Sequence, residues 1–175
     1  WRHGQTDWNI ANRFQGSTDI PLNETGQNQV IRAGKLLTGL APTQIIASDL
    51  SRAFNTAKAL ADLVGLEIKK DKRLRETDGG NWEGKTGDVI RETDIENFIR
   101  WIDGDDNPAG DVGERRSEVA ERATAAINEA LAGKTNQTLV VATHGGTARC
   151  ILGSMLNLPM TTWGSIGGLS NASWS

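Results

Sequence analysis

The run Leu139-Val140-Val141-Ala142, followed without a break by Thr143-His144-Gly145-Gly146, constrains the fold more than any other part of the chain. Four successive apolar residues bounded by a glycine-bearing turn match a buried strand and are too few for a buried helix. Beyond the turn, Ala148, Ile151, Leu152, Met155 and Leu156 fall at helical spacing. A buried strand that feeds directly into a helix is the unit of a parallel sheet layered with helices.

The rest of the sequence repeats that alternation. Asn23 is placed to cap a helix from about Glu24, with Val30, Ala33, Leu37 and Leu40 on one face and Gly39 near its end. Gln44 to Ser48 reads as a short buried strand. Ser48 or Asp49 is expected to cap the next helix, which carries Ala53, Ala57, Leu60 and Val64 and stops at Gly65. Leu66 to Lys70 reads as a further strand, and weak helical pieces span Val89 to Ile102 inside a polar stretch from Asp71 to Gly113. Arg116 to Leu131 is an alanine-rich helix with Val119, Ala123, Ile127 and Leu131 at steps of four. The expected fold class is α/β, a three-layer α/β/α sandwich with a largely parallel central sheet. No repeat or Pro-rich linker divides the 175 residues, which read as one domain, 1–175. Trp1 opens the chain without the strand that should precede a glycine-bearing loop, and Asn171 to Ser175 reads as the start of a strand. The domain is therefore expected to lack a few residues of its first strand and a C-terminal portion.

Composition narrows the function. Nineteen Lys and Arg against 22 Asp and Glu give a net charge of -3, which argues against a nucleic-acid partner. No apolar run approaches the roughly 20 residues of a membrane helix, so no membrane partner is expected. The single Cys150 cannot form an internal disulfide and no export signal is present, which makes the cytoplasm the expected location. The imidazole inventory is His3 and His144, each followed by glycine. With one cysteine beside them, these do not furnish the usual zinc ligand set, and no calcium-loop pattern occurs. No metal and no cofactor are expected.

In a parallel sheet, ligands gather outside the carboxyl ends of the strands. Arg52 and His144 each follow a strand and open a helix, and Arg2-His3-Gly4 joins them if it continues a further strand. Helix amino-termini and glycine turns offer free N–H groups, and arginine offers a fixed charged fork, so this edge suits a phosphate or a carboxylate. Each residue taken alone also has a structural reading. His3 could lie at a frayed surface, His144 could be a buried histidine bonded to backbone, Arg52 could face solvent, and Glu76 is one acid among many. Their joint arrangement is what argues for a site.

Several segments resemble, in order, the histidine phosphatase superfamily, also called phosphoglycerate mutase-like. They are Arg2-His3-Gly4-Gln5-Thr6 with Asn9; Gly16 to Leu22 and Gly26; Ser48-Asp49-Leu50-Ser51-Arg52-Ala53 with Thr56-Ala57; Leu74-Arg75-Glu76 with Gly80, Trp82, Glu83 and Gly84; and Thr143-His144-Gly145-Gly146. The resemblance implies a phosphoglycerate mutase-like fold and a metal-independent phosphomonoesterase. His3 would be the nucleophile that forms a phosphohistidine, with Arg2, Arg52 and His144 around the transferring phosphoryl group. Glu76 would be the general acid and then the base, a role that calls for a partly desolvated carboxyl. Glu83 is the competing carboxylate, better suited to supporting its loop. Asn9 and the backbone at Gly145 would add phosphate contacts.

The resemblance also brings alternatives. Phosphoglycerate mutases of the family carry longer insertions that close the site, whereas the stretch between Gly84 and Gly113 is modest, which favours a phosphatase. Thr77-Asp78-Gly79 and Gly113-Glu114-Arg115 depart from the common phosphatase pattern. Gly167 to Trp174 is similar to the tail of glucosyl-3-phosphoglycerate phosphatases, which implies a phosphorylated glycerate or sugar as the small-molecule partner. A binding module that keeps the phosphate pocket is the alternative from another class, and tryptophans at 8, 82, 101, 163 and 174 could mark its interface. A homodimer is left open.

Overall fold

The computed structural model describes residues 1–175, and its centre is a parallel sheet in the order β2-β1-β3, formed by β1 (Gln44–Ala47), β2 (Ile68–Lys70) and β3 (Leu139–Ala142). In this register Ile45 faces Ile68 on one side and Val140 on the other. The opening segment lies beside β3 in the same direction: Arg2 bridges Thr143, the Thr143 amide donates to the Trp1 carbonyl at 2.9 Å, and the His3 amide donates to the Thr143 carbonyl at 3.0 Å.

The strand period of two distributes the layers. Ile45 and Ala47 enter a core with Val30, Ala33 and Leu37 of α2 (Glu24–Leu37) and Ala57, Leu60 and Ala61 of α3 (Ser51–Val64). Ile46, between them, enters a second core on the opposite face. There it meets Ala123, Ala126, Ile127 and Ala130 of α6 (Arg116–Leu131) and Ile151 of α7 (Gly145–Met155). This is the expected α/β/α sandwich. The small residues let α2 and α3 approach closely, and a Cβ on Gly34 would lie 2.9 Å from the Ala59 carbonyl.

Two local details differ from the sequence reading. Asn23 caps α2 as expected, its Oδ1 accepting from the Gly26 amide at 2.8 Å, but α3 is not capped by Ser48 or Asp49. Asp19 reaches across from an earlier loop and accepts from the Ser51 amide and hydroxyl, both at 2.8 Å, while Ser48 turns toward His144. Asn171 to Ser175 forms a turn instead of a strand, although the Ala172 amide donates to the His3 carbonyl and the Ser173 carbonyl accepts from the Arg2 amide.

Between the strands, the short helix α1 (Asp7–Ile10) follows the first loop. The polar stretch after β2 holds α4 (Gly87–Thr93) and α5 (Ile95–Asp103), both packed over the buried Trp82. The Trp82 ring meets Phe14, Phe98 and Trp101 edge-on at centroid distances of 5.9, 5.8 and 5.8 Å. No helix is long and apolar enough to cross a membrane.

Candidate active site

The carboxyl ends of β1 and β3 and of the opening segment converge on one edge, where a cavity of about 270 Å³ is lined by Arg2, His3, Asn9, Arg52 and Glu76 among others. His3 is 2% exposed. Its Nδ1 bonds the Gly4 carbonyl at 2.7 Å, an acceptor, so Nδ1 carries the hydrogen and Nε2 keeps its lone pair. Gly4 itself has no room for a side chain, since a Cβ would sit 2.5 Å from the Gly26 carbonyl. Burial first, and then the Arg52 charge, push the His3 imidazole down to about 3. The ring is therefore neutral at physiological pH, the state in which a ring nitrogen can attack phosphorus.

Arg52, in the first turn of α3, is fully buried and held at three points. Nη1 donates to the Thr18 carbonyl and Nη2 to the Gly16 carbonyl, both at 2.8 Å, and Nε donates to His144 Nδ1 at 3.2 Å. The carbonyls belong to a loop that Glu83 secures. One Glu83 oxygen accepts from the Ser17 amide at 2.6 Å and the other from the Thr18 amide at 3.1 Å. A Cβ on Gly16 would overlap that same carboxylate, and its φ of +53° also favours glycine.

His144 caps the approach to α7 and is fully buried. Because Nδ1 accepts from a guanidinium that can only donate, Nε2 bears the hydrogen and donates to Ser48 Oγ at 2.9 Å. Its imidazole is held well below the usual range by burial and by Arg52. The ring stands 5.2 Å from that of His3, centroid to centroid, yet it does not line the cavity. Both nitrogens already have protein partners, so His144 sits behind Arg52 and not against the cavity. Gly145 likewise does not line it, and the residue that does is Gly146.

Glu76 is half-buried and accepts four hydrogen bonds. Oε1 takes the Thr77 amide at 2.9 Å, the Thr147 amide at 3.0 Å and the Thr147 hydroxyl at 3.2 Å. Oε2 takes only the Gly146 amide, at 3.0 Å. The amino-terminal amides of α7 are therefore directed at this carboxylate, an arrangement that desolvation alone does not describe. The backbone that carries Glu76 is fixed by Arg122 of α6, which donates to the carbonyls of Arg73, Arg75 and Glu76 and pairs with Glu114 at 2.7 Å.

Asn9 lines the cavity with its Oδ1 engaged by the Thr6 amide at 3.0 Å and by Asn171 Nδ2 at 3.1 Å, which leaves its own amide hydrogens for a ligand. Further polar or aromatic walls that were not legible from motifs include Arg13, Phe14, Gln15, Trp101, Arg116 and Arg149. Glu76 is the one carboxylate in the lining, against five arginines. Such a cavity selects an anion.

The sequence pattern of the Histidine phosphatase superfamily (branch 1) matches residues 1–175. A glucosyl-3-phosphoglycerate phosphatase of Mycobacterium tuberculosis is 36% identical over 182 residues, covering 99% of this chain and 81% of that protein. A probable phosphoglycerate mutase GpmB of Erwinia tasmaniensis is 34% identical, covering 90% of this chain and 74% of its own. A solved mycobacterial glucosyl-3-phosphoglycerate phosphatase in complex with VO3 superposes with a TM-score of 0.92 at 37% identity, over 99% of this chain and 88% of that one. The chain belongs to the histidine phosphatase superfamily.

Proposed function

We propose that the protein is a phosphomonoesterase that works through a phosphohistidine at His3, on a phosphorylated glycerate or sugar such as glucosyl-3-phosphoglycerate. The observation that carries this reading is the His3 ring, neutral and locked through Nδ1 on Gly4, with Nε2 left free in a cavity walled by Arg2, Arg52 and Glu76. The superfamily match and the phosphatase relatives support it.

In the first step Nε2 of His3 bonds to phosphorus as the bond from phosphorus to the ester oxygen breaks. The departing alkoxide takes a proton from Glu76. Oε2, which has a single amide partner, is the oxygen with room to carry that proton. In the second step water attacks the phosphohistidine, Glu76 recovers a proton from it, and His3 and inorganic phosphate are released. Arg2 and Arg52 stabilise charge on the equatorial oxygens, and Asn9 adds a neutral donor. His144 contributes by holding the Arg52 guanidinium in place. The free, buried Cys150 suits a reducing compartment, in keeping with a cytoplasmic enzyme.

A mutase must keep its phosphohistidine from water. The stretch from Gly84 to Gly113 is taken up by α4 and α5 packed on Trp82 and gives only Trp101 to the cavity wall, which supports hydrolysis over transfer. The experiment is a phosphate-release assay on glucosyl-3-phosphoglycerate, with conversion of 3-phosphoglycerate to 2-phosphoglycerate followed in parallel. Phosphate release that disappears in His3→Ala, together with a phosphoenzyme trapped by acid quench only in the wild type, is the expected result. Isomer formation without net phosphate release would replace the reading with a mutase, and phosphate binding without turnover would replace it with a binding module.

A further inference from the structure

The outer wall of the cavity holds two guanidiniums that the phosphoryl chemistry does not use. Arg116, at the start of α6, is 7% exposed, and its guanidinium lies over the Trp101 ring at 4.0 Å. Arg149 projects from α7, and its Nε is buried without a hydrogen-bond partner. Neither takes part in any ion pair of the protein, although Asp and Glu outnumber Lys and Arg by 22 to 19. Arg13, by contrast, already donates to the Gly84 carbonyl.

Two like charges, one buried at Arg116 and one half-buried at Arg149, face one cavity with no carboxylate paired to either, and an anion in the cavity would relieve them. Burial, and then the neighbouring Arg149 charge, weigh against the charged form of Arg116, and Asp106 offsets them only in part. Arg2 and Arg52 suffice for one phosphoryl group, and the stacked fork of Arg116 is pre-oriented for a planar oxyanion.

We propose that Arg116 and Arg149 form a second anion subsite that receives the carboxylate of a phosphorylated hydroxy acid, so that the enzyme selects esters carrying a carboxylate over esters of neutral alcohols. The subsite rests on the phosphatase reading above and adds to it the residues that choose the alcohol. Trp101 fixes the plane of Arg116, and Arg149 closes the other side of the group.

The test compares kcat/KM for 3-phosphoglycerate and for glycerol 3-phosphate, which differ at the carboxylate. The wild type is expected to favour 3-phosphoglycerate, and that ratio is expected to fall by about tenfold or more in Arg149→Met. Arg116→Lys keeps the charge but loses the planar fork, and is expected to lower the ratio as well; it serves where Arg116→Met does not fold. A wild type without preference, or an Arg149→Met variant in which both esters decline equally, overturns the subsite while leaving the phosphatase intact. A wild type that releases phosphate from no ester overturns the phosphatase reading and the subsite with it.

Discussion

Arg52 Nε donates to His144 Nδ1 at 3.2 Å inside a space that excludes solvent from both residues. This bond fixes the tautomer of His144 and couples it to Ser48, so in the proposed mechanism the histidine acts through the arginine. His144→Ala is expected to lower kcat by about 100-fold, the effect of misplacing one preorganised donor. The loss of affinity for inorganic phosphate should be similar in His144→Ala and Arg52→Lys, because each releases the same guanidinium from its anchors. Steady-state kinetics with phosphate as competitive inhibitor measure both. A His144→Ala enzyme with near-normal kcat would remove His144 from the working site.

Gly146 and Glu76 share a contact that tolerates no extra atom. A Cβ on Gly146 would lie 2.6 Å from Glu76 Oε1, so Gly146→Ala must displace the carboxylate or the start of α7. The expected outcome is a folded protein, by circular dichroism, whose kcat falls by about tenfold or more. Glu76→Gln is expected to keep phosphate binding and to slow turnover more strongly, since the amide cannot exchange the proton. Near-normal turnover in Glu76→Gln would transfer the acid role elsewhere.

The buried histidines also set the acid response. Unfolded His3 takes up a proton below about 6.5, but the folded ring does so only near 3, so unfolding binds a proton between those values. The contribution to stability is complete above the unfolded value and is lost as pH falls toward the folded one. The slope is about 1.4 kcal/mol per pH unit for each such histidine. Urea unfolding between about pH 7 and pH 5, above most carboxylate titration, is expected to show this decline, with a smaller slope in His3→Gln. Equal slopes in the two proteins would mean that His3 is not buried neutral. For the same reason the acid limb of kcat/KM should not reflect His3.

Particular residues show what the sequence could carry. Leu139–Ala142 and Arg116–Leu131 occupy the ranges that their apolar run and four-residue steps imply, because burial alone determines both. The cap of α3 was not legible, because Asp19 reaches it from 32 residues away and no local pattern records that. His3, Arg2, Arg52, Glu76 and Asn9 meet at one cavity, as the resemblance implied. His144 lies outside the lining because its ring partners are a matter of packing, which motif order does not encode. Arg116 and Arg149 were hidden among 19 basic residues, each placed in an ordinary amphipathic helix, and it is their place in the cavity wall, without a paired carboxylate, that marks them.

Glu114, next to the departure from the common phosphatase pattern at Arg115, pairs with Arg122 to form a strut beneath the acid. Arg122 is held by Glu114 at 2.7 Å and donates to three carbonyls, those of Arg73, Arg75 and Glu76. Glu114 also accepts from the Asp78 amide at 2.9 Å, so the pair ties both sides of the Glu76 turn to α6. With 19% and 27% side-chain exposure the pair is largely shielded, and removing one partner leaves the other charge and the carbonyls without their bonds. Arg122→Met is expected to destabilise the fold by about 2–4 kcal/mol and to lower kcat beyond what the loss of folded protein explains. Glu114→Gln keeps one acceptor and should cost less on both counts. Urea unfolding and kcat corrected for the active fraction separate the two effects, and a variant that loses stability but keeps full kcat would limit the strut to folding alone.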